Sequence, residues 1–125
     1  MKNIIQLSIL CCLGFSVNGW AMGYSKDYEP CMKSAQSQIK EIFVCQKDES
    51  KIQNKRVKQN YKKKLSITPS SEKQMVKKIQ QNWLKQRDQV CGLEKNQFEQ
   101  KNTTYKGCLL QLTMVRADML EYGLK

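Results

Sequence analysis

Histidine is absent from the 125 residues, and no two cysteines form a C-x-x-C pair. These absences remove the usual zinc ligand sets, so no metal site and no cofactor is expected. Without histidine the chain also lacks the side chain that titrates nearest neutral pH. It has no glycine-rich phosphate loop and no serine-centred motif. Its carboxylates are scattered singly apart from Asp48-Glu49, which as helix neighbours point in different directions. An enzyme is therefore not expected. No alternating strand pattern and no internal repeat is visible, and there are only two prolines. Acids are scarce as well: 11 Asp and Glu stand against 22 Lys and Arg, a net charge of +11.

What is present begins with a leader. Residues 1–21 have the three parts of a secretory signal: Lys2, an apolar run from Ile4 to Val17, and small Gly19 and Ala21 at the −3 and −1 positions. The run is shorter than the roughly 20 residues of a transmembrane helix, so no integral membrane protein is expected. Lipidation at Cys11 or Cys12, which follow Ile-Leu, is the rival reading, disfavoured because leucine is a poor residue before a lipidated cysteine. Cleavage after Ala21 leaves residues 22–125 as a single domain and reduces the net charge to +10 through loss of Lys2. It also leaves four cysteines, Cys31, Cys45, Cys91 and Cys108. An even number in a small exported domain reads as two disulfides in an oxidising compartment, either a bacterial periplasm or the exterior. Export excludes nucleic acid as a partner. The basic charge points to anionic envelope components or an acidic protein, or else to a solvated surface.

The segment 22–30 is polar and ends at Pro30, so little structure is expected there. From Cys31 to Leu65 strong helix formers dominate, with Val57, Tyr61 and Leu65 on one stripe and a short separate helix near Cys31. Thr68-Pro69-Ser70-Ser71 breaks the chain. Either Thr68 caps the next helix, or Ser71 and Gln74 form a capping box. That helix has a stripe of Val76, Ile79, Trp83, Arg87 and Val90, with Gly92 placed to end it. Residues 93–107 read as a loop, with Asn102-Thr103-Thr104 as loop and helix cap. A last helix from about Thr104 carries Leu109, Leu112, Arg116 and Leu120. The predicted fold is all-α: a small disulfide-stapled bundle of three main helices and a short fourth.

An antiparallel hairpin about Pro69 would set Cys45 level with Cys91, Glu49 opposite Arg87, Gln53 beside Trp83, Val57 against Ile79 and Tyr61 against Met75. Cys91 is also level with Cys108 across a loop, and Cys31 with Cys45 across a turn. All three connectivities remain open, and each gathers the sulfurs at one end. Trp83 then becomes a core indole with Arg87 paired to Glu49 or Asp88; the alternative is a binding hot spot. Lys62, Lys63, Lys64, Lys73, Lys77 and Lys78 form a cationic tip at the other end, open to a partner or simply solvated.

Three blocks carry a family resemblance. Gln80, Trp83, Leu84, Arg87, Asp88 and Cys91 form the first, and Cys108, Thr113, Arg116 and Leu120 the second. Cys31-Met32, Cys45, Glu49, Val57 and Tyr61 form the third. Their order resembles the LprI-like lysozyme-inhibitor family of small exported helical proteins, over about residues 28–122. The pattern departs at Val57-Lys58 and at Asn54. The resemblance implies a non-catalytic inhibitor of lysozyme or another peptidoglycan hydrolase. A cationic envelope-binding protein of structural or stress-related role is the alternative. Long-range repulsion from basic lysozymes favours an acidic muramidase as partner.

Overall fold

The computed structural model describes residues 23–95 and 103–124. Among them are four helices and no strand: α1 Tyr28–Ala35, α2 Ile39–Ile67, α3 Lys73–Lys95 and α4 Thr103–Tyr122. The all-α, disulfide-stapled bundle expected from composition is what the chain forms. None of these helices is long and apolar enough to cross a membrane. The leader expected over 1–21 lies outside the described residues, as do residues 96–102; the loop expected over 93–107 is helical at both ends, in α3 to Lys95 and in α4 from Thr103.

Helix boundaries follow local chemistry, though not always the residues singled out by sequence. Pro30 sits in the first turn of α1, where a missing N–H leaves no bond unmade. The break between α1 and α2 falls at Gln36, with φ of 48°, and neither glycine nor proline makes it. Thr68 closes α2 instead of opening α3: its N–H and its hydroxyl both donate to the Lys64 carbonyl. Ser71 lies in the turn before α3. Gly92 does not end α3, which continues through it to Lys95.

The hairpin register is overturned. α4 packs against both α2 and α3, and it takes the place each was expected to give the other. α2 and α4 run parallel, shown by contacts of Arg56 with Asp118 and of Lys64 with Gly123. α3 and α4 run antiparallel, through Cys91–Cys108, Arg87–Thr113 and Gln80–Arg116. Ile79 and Met75 consequently face outward, at 50% and 60% exposure. The buried edge of α3 is Gln80, Trp83, Arg87 and Cys91, one step round from the apolar stripe because it must meet α4. Val57, Ala117 and Leu120 form the apolar centre, with Tyr61 and Trp83 packed against it.

Disulfides join Cys31 to Cys45 and Cys91 to Cys108, with Cα separations of 5.8 and 5.7 Å. The sulfurs do gather at one end. Gly107, next to Cys108, comes so near Gln46, next to Cys45, that a methyl group on it would lie 3.1 Å from the amide nitrogen. Each bond closes a short ring, of 14 and 17 residues' separation, worth about 3 kcal/mol in chain entropy. With so few buried apolar side chains, these bonds carry a large share of the stability.

Candidate functional site

Two polar constellations stand out, on opposite sides of α4. The first lies between α2 and α4 and holds the N-terminal segment, which is ordered here and not the loose leader its composition suggests. The Gly23 N–H donates to both carboxylate oxygens of Asp118 at 3.0 Å, and the Gly23 carbonyl accepts from Gln53 and Arg56. Ser25 donates its N–H and hydroxyl to Glu49, which also accepts from Gln53 at 2.6 Å. Arg56 completes the network with Asp118 at 2.8 Å and Glu121 at 2.6 Å. Burial opposes its charge, but the two carboxylates outweigh that and its pKa is raised. Glu49 therefore does not meet Arg87. Burial foremost, with the Glu49 carboxylate adding to it, raises the phenol pKa values of Tyr24 and Tyr28 nearby.

The second constellation lies along the seam of α3 and α4. Helical spacing puts Gln80, Trp83 and Arg87 on one face of α3, and Thr113, Arg116 and Leu120 answer from α4. Arg87 donates to Asp88 from two nitrogens at 2.9 and 2.8 Å, and to the Thr113 hydroxyl at 3.3 Å. The Thr113 hydroxyl in turn donates to the Leu109 carbonyl at 2.7 Å. Arg116 donates from Nε and one terminal nitrogen to the Gln80 side-chain oxygen, at 3.1 and 2.8 Å. Both guanidinium groups lie over the Trp83 ring, at 5.2 and 5.6 Å from its centre. Cations in that position are attracted to the negative face of the indole. Trp83 is half-buried, so it belongs to the core on one side and to the surface on the other.

The blocks that carry the family resemblance are thus largely brought together. Gln80, Trp83, Arg87, Asp88, Thr113 and Arg116 are one cluster; Tyr61 and Leu120 border it through the apolar centre. Glu49 stands apart in the first network. A family model described as lysozyme inhibitor LprI matches residues 31–120.

The chain belongs to the LprI lysozyme inhibitor family. No curated protein and no solved structure matches it. The LprI match takes in both disulfides and the whole α3–α4 seam, but it begins after the Gly23–Ser25 clasp. Of the residues that hold that clasp, Asp118 and Arg56 were not singled out by the sequence, and Gln53 was placed beside Trp83 instead. Their signal was weak: a glutamine and an arginine three residues apart on a lysine-rich helix look like surface.

The six lysines lie at the far end from the disulfides, around the α2–α3 turn. Lys62, Lys63, Lys77 and Lys78 are exposed, while Lys64 donates to the Gly123 carbonyl and Lys73 is half-buried. Lys73 occupies the first turn of α3, which holds no acid. Among the described residues no group of His, Cys, Asp and Glu could hold a metal ion.

Proposed function

We propose that this protein is an exported, non-catalytic inhibitor of a lysozyme or related peptidoglycan hydrolase. The LprI family match over residues 31–120 carries the reading. Two disulfides in a small helical domain support export to a periplasm or beyond it. The apolar leader, removed after Ala21, supplies the means. Inhibition requires no chemistry from the inhibitor. It requires a rigid surface that fills a cleft whose working groups are paired carboxylates.

The net charge of +10 left after loss of the leader sets a condition on the partner. A strongly basic muramidase would be repelled during approach, whereas an acidic one would be steered in. The test is to titrate the oxidised protein against muramidases of graded charge while following cell-wall lysis. Inhibition of at least one enzyme, faster in onset for the acidic members, is the expected result. No inhibition across the panel overturns the proposal.

A second reading is binding to anionic envelope components through the cationic tip. One observation favours it: Lys73 sits at the N-terminal, positive end of the α3 dipole, where a lysine is destabilising. Together with exposed Lys62, Lys63, Lys77 and Lys78 it concentrates charge beyond what the fold needs. Co-sedimentation with lipopolysaccharide vesicles tests this reading separately.

A further inference from the structure

Two part-buried arginines in this fold live under opposite conditions. Arg56 has two carboxylates, the Gln53 side-chain oxygen and the Gly23 carbonyl. Arg116 has the Gln80 oxygen, which accepts from two of its nitrogens. Among the described residues no carboxylate lies within ion-pair distance of Arg116. Its second terminal nitrogen makes no hydrogen bond to a described residue. Burial lowers its pKa, so the site disfavours the charge it carries. A half-buried cation without a counter-charge in the fold is left with donors free for a ligand that brings one.

The second observation is the company Arg116 keeps. Its guanidinium shares the Trp83 ring with that of Arg87. Arg87 does have an acid, Asp88, but that carboxylate is 62% exposed and adjacent in sequence. Exposed pairs of this kind hold weakly and exchange readily. Tryptophan and arginine are also the side chains that dominate binding hot spots.

We infer that the Trp83 seam, centred on Arg116 with Arg87 beside it, grips a carboxylate of the partner hydrolase. The inference rests on the inhibitor reading above and names its contact. A guanidinium presents a planar fork of donors that matches a carboxylate, which a lysine does not. Gln80 fixes the plane of the Arg116 fork, and the indole covers it. The incoming acid therefore meets a group already oriented, with less freedom left to lose. Paired carboxylates in a muramidase cleft are such acids. The net positive charge speeds the encounter with an acidic muramidase and slows it with a basic one, whereas the grip itself is set by this contact.

The experiment uses the oxidised protein and a muramidase that the wild type inhibits. Arg116→Met should still fold, because the removal of an unpaired cation offsets part of the loss felt by the Gln80 oxygen, which no longer has its donor. The same change should weaken inhibition roughly a hundredfold. Arg116→Lys should weaken it too, since charge without the fork is not enough. If Arg116→Met fails to fold, the partner supplies the measurement: wild-type protein should lose affinity for a muramidase whose catalytic Glu is replaced by Gln. Unchanged inhibition by a folded Arg116→Met, or unchanged affinity for that muramidase variant, overturns the inference and leaves the inhibitor reading intact. Arg116-dependent sedimentation with purified peptidoglycan in the absence of enzyme also overturns it, by assigning the seam to cell-wall carboxylates. A wild type that inhibits no muramidase overturns the inhibitor reading instead.

Discussion

Arg56 Nη2 lies 2.8 Å from Asp118 Oδ1, across the interface of two parallel helices and beneath the backbone of Gly23. The pair joins three separate stretches of chain. Both side chains are 18% exposed, so the contact is only partly screened by water.

Removing Arg56 should therefore matter more than removing a surface lysine. Arg56→Ala leaves Asp118 and Glu121 close together without their cation and should cost about 2–3 kcal/mol, at the lower edge of the range for breaking a buried pair. Lys51→Ala, which breaks an exposed pair with Asp48, should change stability by no more than about 0.5 kcal/mol. Urea midpoints of the two variants make the comparison. Equal midpoints would refute a structural role for the Arg56 network.

The disulfides should each be indispensable. Replacing Cys31 and Cys45, or Cys91 and Cys108, by alanine should lower stability by about 3 kcal/mol, and reducing both bonds should melt most of the helical signal at moderate temperature. Circular dichroism with and without reductant reads this out. Helical signal and melting temperature that ignore reductant would contradict it.

Trp83 should report its half-buried position. Its emission should be blue-shifted in the folded state of a protein lacking the leader, and with it Trp20. Trp83→Ala should cost about 3 kcal/mol, at the low end for aromatic truncation because one side already meets solvent. Emission at the wavelength of free indole would place the ring outside the core.

How much of this was legible depends on which signal each residue gives. Val57, Tyr61, Trp83 and Leu120 were legible because apolar side chains at helical spacing have few other uses. The polar interior was legible only where the family motif named Glu49, Gln80 and Thr113, and residue chemistry alone did not reveal it. Gln46, Glu49, Gln53 and Gln80 are all at or below 7% exposed, yet nothing in a glutamine distinguishes a buried amide from a solvated one. The same gap misplaced the α3 edge, where Gln80 is inside and Ile79 outside. The order of packing did leave a trace. Between Leu109 and Leu120, α4 carries apolar residues all round, the mark of a helix with neighbours on more than one side. Two disulfide partners and a shared level suited several connectivities, so only the three-dimensional arrangement decides between them.

At the cationic tip, Lys73→Glu should raise stability by about 0.3–1 kcal/mol, because it replaces a base with an acid at the positive end of α3. Combined with Lys77→Glu and Lys78→Glu it should abolish binding to anionic vesicles, if such binding occurs, and spare muramidase inhibition. Melting curves and vesicle sedimentation separate these effects. A loss of stability in Lys73→Glu would show that the lysine is held by packing, not opposed by the dipole.

The clasp of Gly23 on Asp118 spans 95 positions of the sequence. No segment emerging early from the ribosome can close it, since its acceptor belongs to the last helix. Contacts so distant along the chain also form slowly, because a long loop must be ordered before they reward it. This clasp accordingly closes only once α4 has been made, fastening Gly23 to the last described helix as a late act. Such a delay would serve the export proposed above, in which a chain crosses a membrane before it folds.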